Sequence, residues 1–561
     1  MRRLKNSNIE HAMAQKLKVV MAQLNFRVGD IDGNTEIVIE NSLKAVSEHS
    51  ADVIVFPELT LTGYPMEDLL LRPSLQNRVD KAISKILNAN LSIVIVIGYP
   101  YVSDSKLYNA LGVFCDGEII GSYFKQCLPN YQVFDERRYF EPGNKTCIVE
   151  IQNIRCAFTI CEDMWEEAPA QDAQQLGAQL LININASPFH INKLQERKNL
   201  LTKRCRQGNF PIVYVNLVGG QDELVFDGGS MVVDAEGHCR YLAPSFEESL
   251  YPTIVHIAKE GVQNLYDQKI SLDLCVEESV YRSLVLGVKD YVRKNKFPGA
   301  VLGLSGGIDS ALTLAIAVDA LGENNVQAVM MPFEYTSKLS LDAAEKQATR
   351  LGVKYSVVPI NKIYQAFMSA LDQEFSGTKP DVSEQNLQAR SRGVILMGIS
   401  NKKGLLVLTT GNKSEIAVGY STLYGDMAGG FNVLKDVSKT LVYRLARYRN
   451  QSESKGAGNI IPQEVIDRAP SAELLPGQSD QDSLPPYEEL DQILELYVEK
   501  DLSAQAIIEH GFPESVVRHV LRLVDQNEYK RRQSPVGIRL TERGFGRDRR
   551  YPISNAWEIG D

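Results

Sequence analysis

Short apolar runs separated by longer amphipathic stretches organise the chain from about residue 17 to 260. "LKVVMAQL", "DVIVFP", "SIVIVIG", "IIGSYF", "RCAFTI", "LLINI" and "IVYVNLV" have the length and content of buried strands. "NTEIVIENSLKAVSEHS" and "SLQNRVDKAISKILNAN" carry the helical period instead. Together they predict a layered α/β domain. Between residues 262 and 276 the strand pattern gives way to a helical one, from "CVEESVYRSLVLGVKDYVRKN" onward. That change divides the chain into an extension over 1–16, a first domain over 17–268 and a second over 269–561. In the second, "GAVLGLS", "VQAVMMP", "KYSVVPI" and "GLLVLTT" alternate with helices such as "SALTLAIAVDALG" and "SLDAAEKQATRLG". This alternation predicts a doubly wound parallel sheet. The Ser-, Gly- and Pro-rich stretch from Gln451 to Pro486 predicts a mobile loop.

Composition narrows the function. The 561 residues exceed one ordinary core. A net charge of −10 argues against nucleic acid as a partner, because phosphate contacts dominate that affinity. The opening "MRRLKNSNIEHAMAQ" has no apolar core of a secretory signal. No apolar run approaches the roughly 18 residues of a membrane span, so a cytoplasmic protein with no membrane partner is expected. All eight cysteines precede residue 276 and none forms a C-x-x-C pair, which leaves neither a disulfide framework nor zinc spacing. The chain closes on a basic stretch, "YKRRQSPVGIRLTERGFGRDRR".

One cysteine has chemical company. Cys161 follows the strand "CAFTI" in "FTICEDMW", Glu58 follows "DVIVF" in "FPELTLTGYP", and Lys125 follows "IIGSYF" in "YFKQCLPNYQVFDERRYF". Three reactive side chains, each just past an apolar strand, suit a site at one sheet edge. A thiol with an unperturbed pKa near ~8.5 needs a base or a cation. Glu58 can take its proton and Lys125 can stabilise thiolate and oxyanion, with no histidine required. These segments resemble the nitrilase superfamily, with its Glu-Lys-Cys triad and α-β-β-α sandwich. The resemblance implies that Glu136, seven residues before the Gly of "EPG", orients the lysine. "LPNYQVFDERRYF" and "INASPFHINKLQERK" resemble more narrowly the glutaminase domain of the glutamine-dependent NAD⁺ synthetase family. Tyr131, Ser187 and Lys193 are then implied to contact L-glutamine, with Phe134 a weaker candidate.

The second domain contains "GLSGGIDSALTLA": a strand, a glycine-rich turn and a helix start. Gly306 and Gly307 let the backbone approach a phosphate at the helix N-terminus. Asp309 is placed to meet Mg²⁺, and Ser305 and Ser310 can donate hydrogen bonds. The motif is not a Walker A loop. It resembles the pyrophosphate loop of the ATP pyrophosphatases, implying ATP at Gly303, Leu304, Ser305, Gly306, Gly307, Ile308, Asp309 and Ser310. "EQNLQARSRGVILMGISN", "LTTGNKSEIAVGYSTLYGDMAGGFNVLKDVSKT", "RAPSAELLPGQSDQDSLPPYEELD" and "NEYKRRQSPVG" resemble the NAD⁺ synthetase family. Asn386 and Arg390, four apart, share a helix face. The resemblance implies Thr410 at ATP, Asn386, Glu415 and Lys530 at deamido-NAD⁺, and Glu415 with Asp309 at Mg²⁺. Asp426, Lys435 and Asp436 are softer candidates, and Phe333 departs from the small polar residue frequent there. The expected activity is ATP-dependent amidation of deamido-NAD⁺, with ammonia drawn from glutamine, by a homo-oligomer of at least two chains. Two rivals fit parts of the chain. One is another glutamine-fed ATP pyrophosphatase, a GMP synthetase or tRNA-thiolating enzyme. The other is a catalytically dead scaffold or a nucleic-acid-binding protein using the basic stretch.

Overall fold

A computed structural model describes residues 15–257, 269–452 and 459–558, apart from residues 472, 476, 477, 479 and 483. Most of the expected extension over 1–16, and the expected division at residue 268, fall outside the described residues or at their edge. Two large sheets and a two-stranded ribbon, Val218–Gln221 with Leu224–Asp227, form the first domain. The six-stranded sheet runs Ser249–Ile257, Gln15–Gln23, Val53–Val55, Val94–Ser103, Lys106–Cys115, Glu118–Phe124. The seven-stranded sheet runs Lys269–Ile270, Cys239–Leu242, Met231–Val233, Ile212–Asn216, Leu180–Asn185, Ile154–Ile160, Cys147–Ile151.

Strand alternation explains how they stack. Val19, Met21, Val53 and Val55 of the first sheet pack against Phe158, Ile160, Ile182 and Ile184 of the second. Their neighbours Val20, Ala22, Ile54 and Phe56 face the other way, onto helices Ile31–His49 and Leu75–Asn88. Ala157, Leu181 and Ile212 likewise cover helices Ala168–Gln175 and Lys193–Gly208. The first domain is therefore an α-β-β-α sandwich. Lys269–Ile270 still pairs in parallel with Tyr241–Leu242, so we place the division between Ile270 and helix Val276–Lys294.

The second domain is a five-stranded, wholly parallel sheet in the order Lys354–Val357, Val326–Met330, Ala300–Gly303, Leu406–Thr409, Phe431–Asn432. Successive strands first build outward from Ala300–Gly303 on one side and then on the other. The switch point lies between Ala300–Gly303 and Leu406–Thr409, where open α/β sheets place ligands beyond the strand ends. Helices Val276–Lys294, Ile308–Leu321 and Lys439–Gln451 join these strands in one core. A separate helical cluster, Tyr487–Leu494, Ala504–Glu509 and Glu514–Gln526, follows.

Two stretches depart from expectation. Within Gln451–Pro486, Ile461, Val465 and Ile466 are buried in the second domain's core and helix Gln463–Asp467 forms. Three apolar side chains are enough to seat that part of the presumed loop. The basic stretch is not a free tail either. Arg531 and Arg532 pair with Glu528, Arg539 with Asp548, Arg549 with Asp525, and Arg547 with Glu67 and Glu223. It also joins the two domains. Arg539 N donates to Glu223 O (2.8 Å) and Ile191 N to Leu540 O (2.8 Å), while Asn432 N donates to Val536 O (2.7 Å).

Candidate active sites

Glu58, Lys125 and Cys161 emerge at the same edge of the sandwich. Each follows its strand: Val53–Val55, Glu118–Phe124 and Ile154–Ile160. Lys125 Nζ donates to Glu58 Oε1 (2.7 Å) and to Glu136 Oε1 (2.8 Å). Asn109 Nδ2 holds the same oxygen of Glu58 (2.7 Å), and the backbone N–H of Ala186 holds the other (3.0 Å). Tyr64 OH donates to Glu136 Oε1 (3.0 Å). All of these groups are buried. Cys161 itself sits at a positive φ of 46°, the sharp turn that aims a side chain off a strand end.

The electrostatics follow from two carboxylates sharing one buried cation. Burial alone would depress Lys125, but Glu136 and Glu58 outweigh it and hold the ammonium charged, well above its ordinary range. Burial pushes Glu136 up to about 7, against the opposing pull of Lys125. Burial and the charge of Glu58 raise the Cys161 thiol, and Lys125 opposes them. The resting nucleophile is thus a neutral thiol beside a base, and proton removal belongs to the reaction step.

Around this centre, Tyr131 is half exposed and donates to both oxygens of Glu162 (2.9 and 3.1 Å), with the Phe134 ring edge-on at 5.7 Å. Lys193 lies over the Trp165 ring, 4.1 Å from its centroid, and pairs with Glu196 (3.1 Å). Burial and Arg197 lower its pKa. Ser187 Oγ accepts from Arg197 Nε (3.2 Å), and Arg197 is anchored on Asp227 (2.7 Å). Glu162 and Lys193 both lie within electrostatic reach of the triad, and a carboxylate and an ammonium so placed suit the two charges of an α-amino acid. Sequence reasoning missed Glu162, although it adjoins Cys161, missed Tyr64, although it lies in the segment that carries Glu58, and missed Asn109, which carries no motif.

The second site is a cavity of about 290 Å³ at the switch point. Gly303, Leu304, Ser305, Gly306, Gly307, Ile308, Asp309 and Ser310 all line it, with Thr410 and Glu415 from beyond Leu406–Thr409. Gly306 has φ +83°, and a Cβ there would lie 2.4 Å from Ser340 O, so no larger residue fits the turn. Ser305 Oγ and Ser310 Oγ lie 3.0 Å apart, and Gly307 N donates to Ser305 Oγ (3.2 Å). Helix Ile308–Leu321 starts there, so its N-terminus, the end at which N–H groups lack intrahelical partners, lies in the cavity lining.

Lys439 stands between the expected metal ligands, donating to Asp309 Oδ2 (2.6 Å) and Glu415 Oε1 (2.9 Å). Burial would lower this lysine, but Asp309 and Glu415 raise it further. Burial lifts Glu415 to about 7, with Lys439 pulling the other way. Asp309 and Glu415 are hard oxygen donors of the kind Mg²⁺ takes, and in this structure they converge on the Lys439 ammonium. Arg392 also lines the cavity; Nε is tied to Met331 O (3.0 Å) and burial lowers its pKa to about 10. Sequence reasoning singled out neither Lys439 nor Arg392, though both lie inside the motifs it used.

Other candidates fall outside the lining. Asn386 accepts from the lining residue Thr422 (2.8 Å), and Lys530 donates to Gly419 O (2.8 Å) and Ser421 O (3.0 Å). Arg390 is turned to Leu423 O (3.2 Å). Of the softer candidates Asp426 lines the cavity. Lys435 is tied to Pro535 O, and Asp436 holds Lys413 and Thr541. Phe333 packs on Tyr335 and Tyr364.

Comparison with known proteins agrees with both halves. Residues 18–265 match the carbon-nitrogen hydrolase family and residues 280–534 the NAD synthase family. The chain is 48% identical over 549 residues to the glutamine-dependent NAD(+) synthetase of Acinetobacter baylyi, covering 98% of this chain and 100% of that one. It is 44% identical over 577 residues to that of Thermotoga maritima, covering 97% and 99%. The glutamine-dependent NAD+ synthetase of Acinetobacter baumannii, solved with adenosine diphosphate, superimposes with a TM-score of 0.78 at 46% identity, covering 97% of this chain and 100% of that one. The enzyme from Cytophaga hutchinsonii, at 21% identity and a TM-score of 0.83 over 97% of this chain and 98% of that one, shares the fold.

Proposed function

The chain belongs to the glutamine-dependent NAD(+) synthetase family, and from that premise we propose how its two sites divide the reaction. It is a carbon-nitrogen ligase that amidates deamido-NAD⁺ to NAD⁺ at the expense of ATP, with glutamine as nitrogen donor. Glu58 takes the proton of Cys161 as the sulfur attacks the amide carbon of glutamine. The Lys125 ammonium offsets the charge developing on the amide oxygen. Collapse of the tetrahedral adduct breaks the C–N bond, and Glu58 returns its proton to the leaving nitrogen as ammonia departs. Water, deprotonated by Glu58, then cleaves the thioester and frees glutamate. Lys193 and Glu162 suit the α-carboxylate and α-ammonium of the substrate, and Tyr131 and Ser187 its polar edges.

In the second domain the turn from Ser305 to Ser310 holds the phosphates of ATP. The nicotinate carboxylate attacks the α-phosphorus, pyrophosphate leaves, and ammonia displaces AMP from the acyl carbon. Asp309 and Glu415 would hold Mg²⁺, which offsets phosphate charge when bound. Arg392 and Lys439 supply positive charge from the chain itself. Asn386, Asp426 and Lys530, grouped around residues 419–426, serve the dinucleotide end. Ammonia passes between the sites inside the protein, because in water near neutral pH it would be mostly protonated. We also propose a dimer. Val394, Met397 and Gly398 form an exposed small and apolar face of helix Val382–Lys403, with the exposed Tyr424 beside Gly393.

The observation carrying this reading is the presence, in one chain matched end to end by its relatives, of a buried Glu-Lys-Cys group and a separate phosphate turn facing two carboxylates. Cys161→Ala should abolish glutamine-driven NAD⁺ formation and leave the ammonium-driven rate within about twofold. Loss of both rates, or of neither, would sink the division of labour. Sedimentation of the purified chain tests the dimer: a monomer at micromolar concentration would refute it.

A further inference from the structure

Asp163 takes no part in the chemistry above, yet it is fully buried at the catalytic end of the sandwich and all its acceptor positions are directed. Oδ1 accepts from the backbone N–H groups of Gln126 (3.0 Å) and Cys127 (2.8 Å), the two residues after Lys125. Oδ2 accepts from the N–H of Ile160 (2.9 Å), the residue before Cys161, and from Tyr123 OH (2.8 Å), two residues before Lys125. Tyr123 belongs to the six-stranded sheet and Ile160 to the seven-stranded sheet. One carboxylate therefore crosslinks the two sheets where the lysine and the nucleophile leave them.

We propose that Asp163 is a positioning residue that sets the separation and aim of Cys161 relative to Lys125, and thereby the reactivity of the nucleophile. The inference rests on the assignment of Cys161 and Lys125 to glutamine hydrolysis. A carboxylate is required for a specific reason. Three N–H donors and one O–H donor converge on it, and an ionised carboxylate is acceptor on every side. An amide of the same shape would turn an N–H₂ toward either Ile160 N–H or the Gln126 and Cys127 N–H pair, a donor facing a donor. The turn at Cys161 has a positive φ of 46° and does not hold itself; its neighbours must hold it. Burial raises the pKa of Asp163 overall, and the bonds from Ile160 and Cys127 oppose that rise by favouring the carboxylate.

Asp163→Asn tests the role in the full-length enzyme, with Tyr123→Phe as a milder variant that keeps the three backbone bonds. Displacing a reacting group by about 1 Å costs on the order of 100-fold. Asp163→Asn should lower the glutamine-driven kcat about 100-fold, with KM for glutamine changed less than about threefold. The ammonium-driven rate should stay within about twofold, which also shows that the variant folds. The pH midpoint for alkylation of Cys161 by iodoacetamide should rise by about one unit as the thiolate loses its alignment with Lys125. Tyr123→Phe should lower the glutamine-driven kcat by less than about tenfold. An unchanged glutamine-driven kcat and alkylation profile in Asp163→Asn would overturn the proposal, as would a parallel fall of both synthetic rates. Cys161→Ala, assayed alongside, separates the failures: if it keeps glutamine-driven turnover, the site assignment itself is wrong.

Discussion

Lys125→Met removes the one cation from a buried cluster and keeps most of the side-chain volume. The two carboxylates, Glu58 and Glu136, lose a shared donor at 2.7 and 2.8 Å. Removing one partner of a buried ion pair costs on the order of 3–5 kcal/mol when the other stays charged. Here the cluster can instead take up a proton, because Glu136 already titrates at about 7 through burial. The cost should therefore depend on pH. A carboxyl whose folded pKa lies above its unfolded value loses stability as pH rises between the two, and no further above the folded value. In the wild type that window closes at about 7. Without Lys125, whose charge pulls Glu136 down, it extends higher. Lys125 itself stays charged in both states from pH 6 to 9, because its folded pKa is raised, so it contributes a constant offset there. Between pH 7 and 8.5 the variant should lose up to about 2 kcal/mol more than the wild type, the limit set by 1.5 pH units at about 1.4 kcal/mol each. For a domain of this size that is a further drop of roughly 4–8 °C in Tm. Thermal unfolding of both proteins at pH 6, 7 and 8.5, followed by circular dichroism, measures it. A gap between the two proteins that stays constant from pH 7 to 8.5 would refute the idea that the Lys125 ammonium holds the titration of Glu136 down.

Other outcomes follow from the second site. Gly306→Ala puts a Cβ 2.4 Å from Ser340 O at a φ of +83°. It should lower both glutamine- and ammonium-driven synthesis more than about 100-fold, because the phosphate turn must shift, while Cys161 alkylation proceeds as in the wild type. Lys439→Met leaves Asp309 and Glu415 without the ammonium at 2.6 and 2.9 Å. Synthesis from either nitrogen source should fall at least about tenfold, the equivalent of one charge-assisted hydrogen bond. Mg²⁺ binding followed calorimetrically, without turnover, should tighten as the competing cation is removed; weaker binding would show that the lysine helps shape the site.

Much of this enzyme was legible from local pattern. Strands such as "DVIVFP" and "RCAFTI" are buried on both faces, so their apolar runs needed no partner to be recognised. The turn around Gly306 is specified by residues adjacent in the chain, which is why "GLSGGIDS" marked the phosphate site directly. Glu58, Lys125 and Cys161 were recognisable because each is the first reactive residue after a strand, a position that the strand itself determines. The short partner strand Lys269–Ile270 and the seating of helix Gln463–Asp467 were not, since a few residues with weak local preference take their conformation from what they bury against.

Tertiary structure alone decided which groups meet. Asn109 lies on a segment with no motif of its own, and Tyr64 and Asp163, though close in sequence to Glu58 and Cys161, reach Glu136 and the segment around Lys125 only through the fold. Lys439 reaches Asp309 across 130 residues, and the arginines of the basic C-terminal stretch are neutralised by carboxylates as distant as Glu67. Charge composition along a chain cannot reveal such pairing, because an ion pair leaves no mark on local backbone preference and depends on what folding places within a few ångströms. Local chemistry wrote the motifs; long-range packing chose their partners.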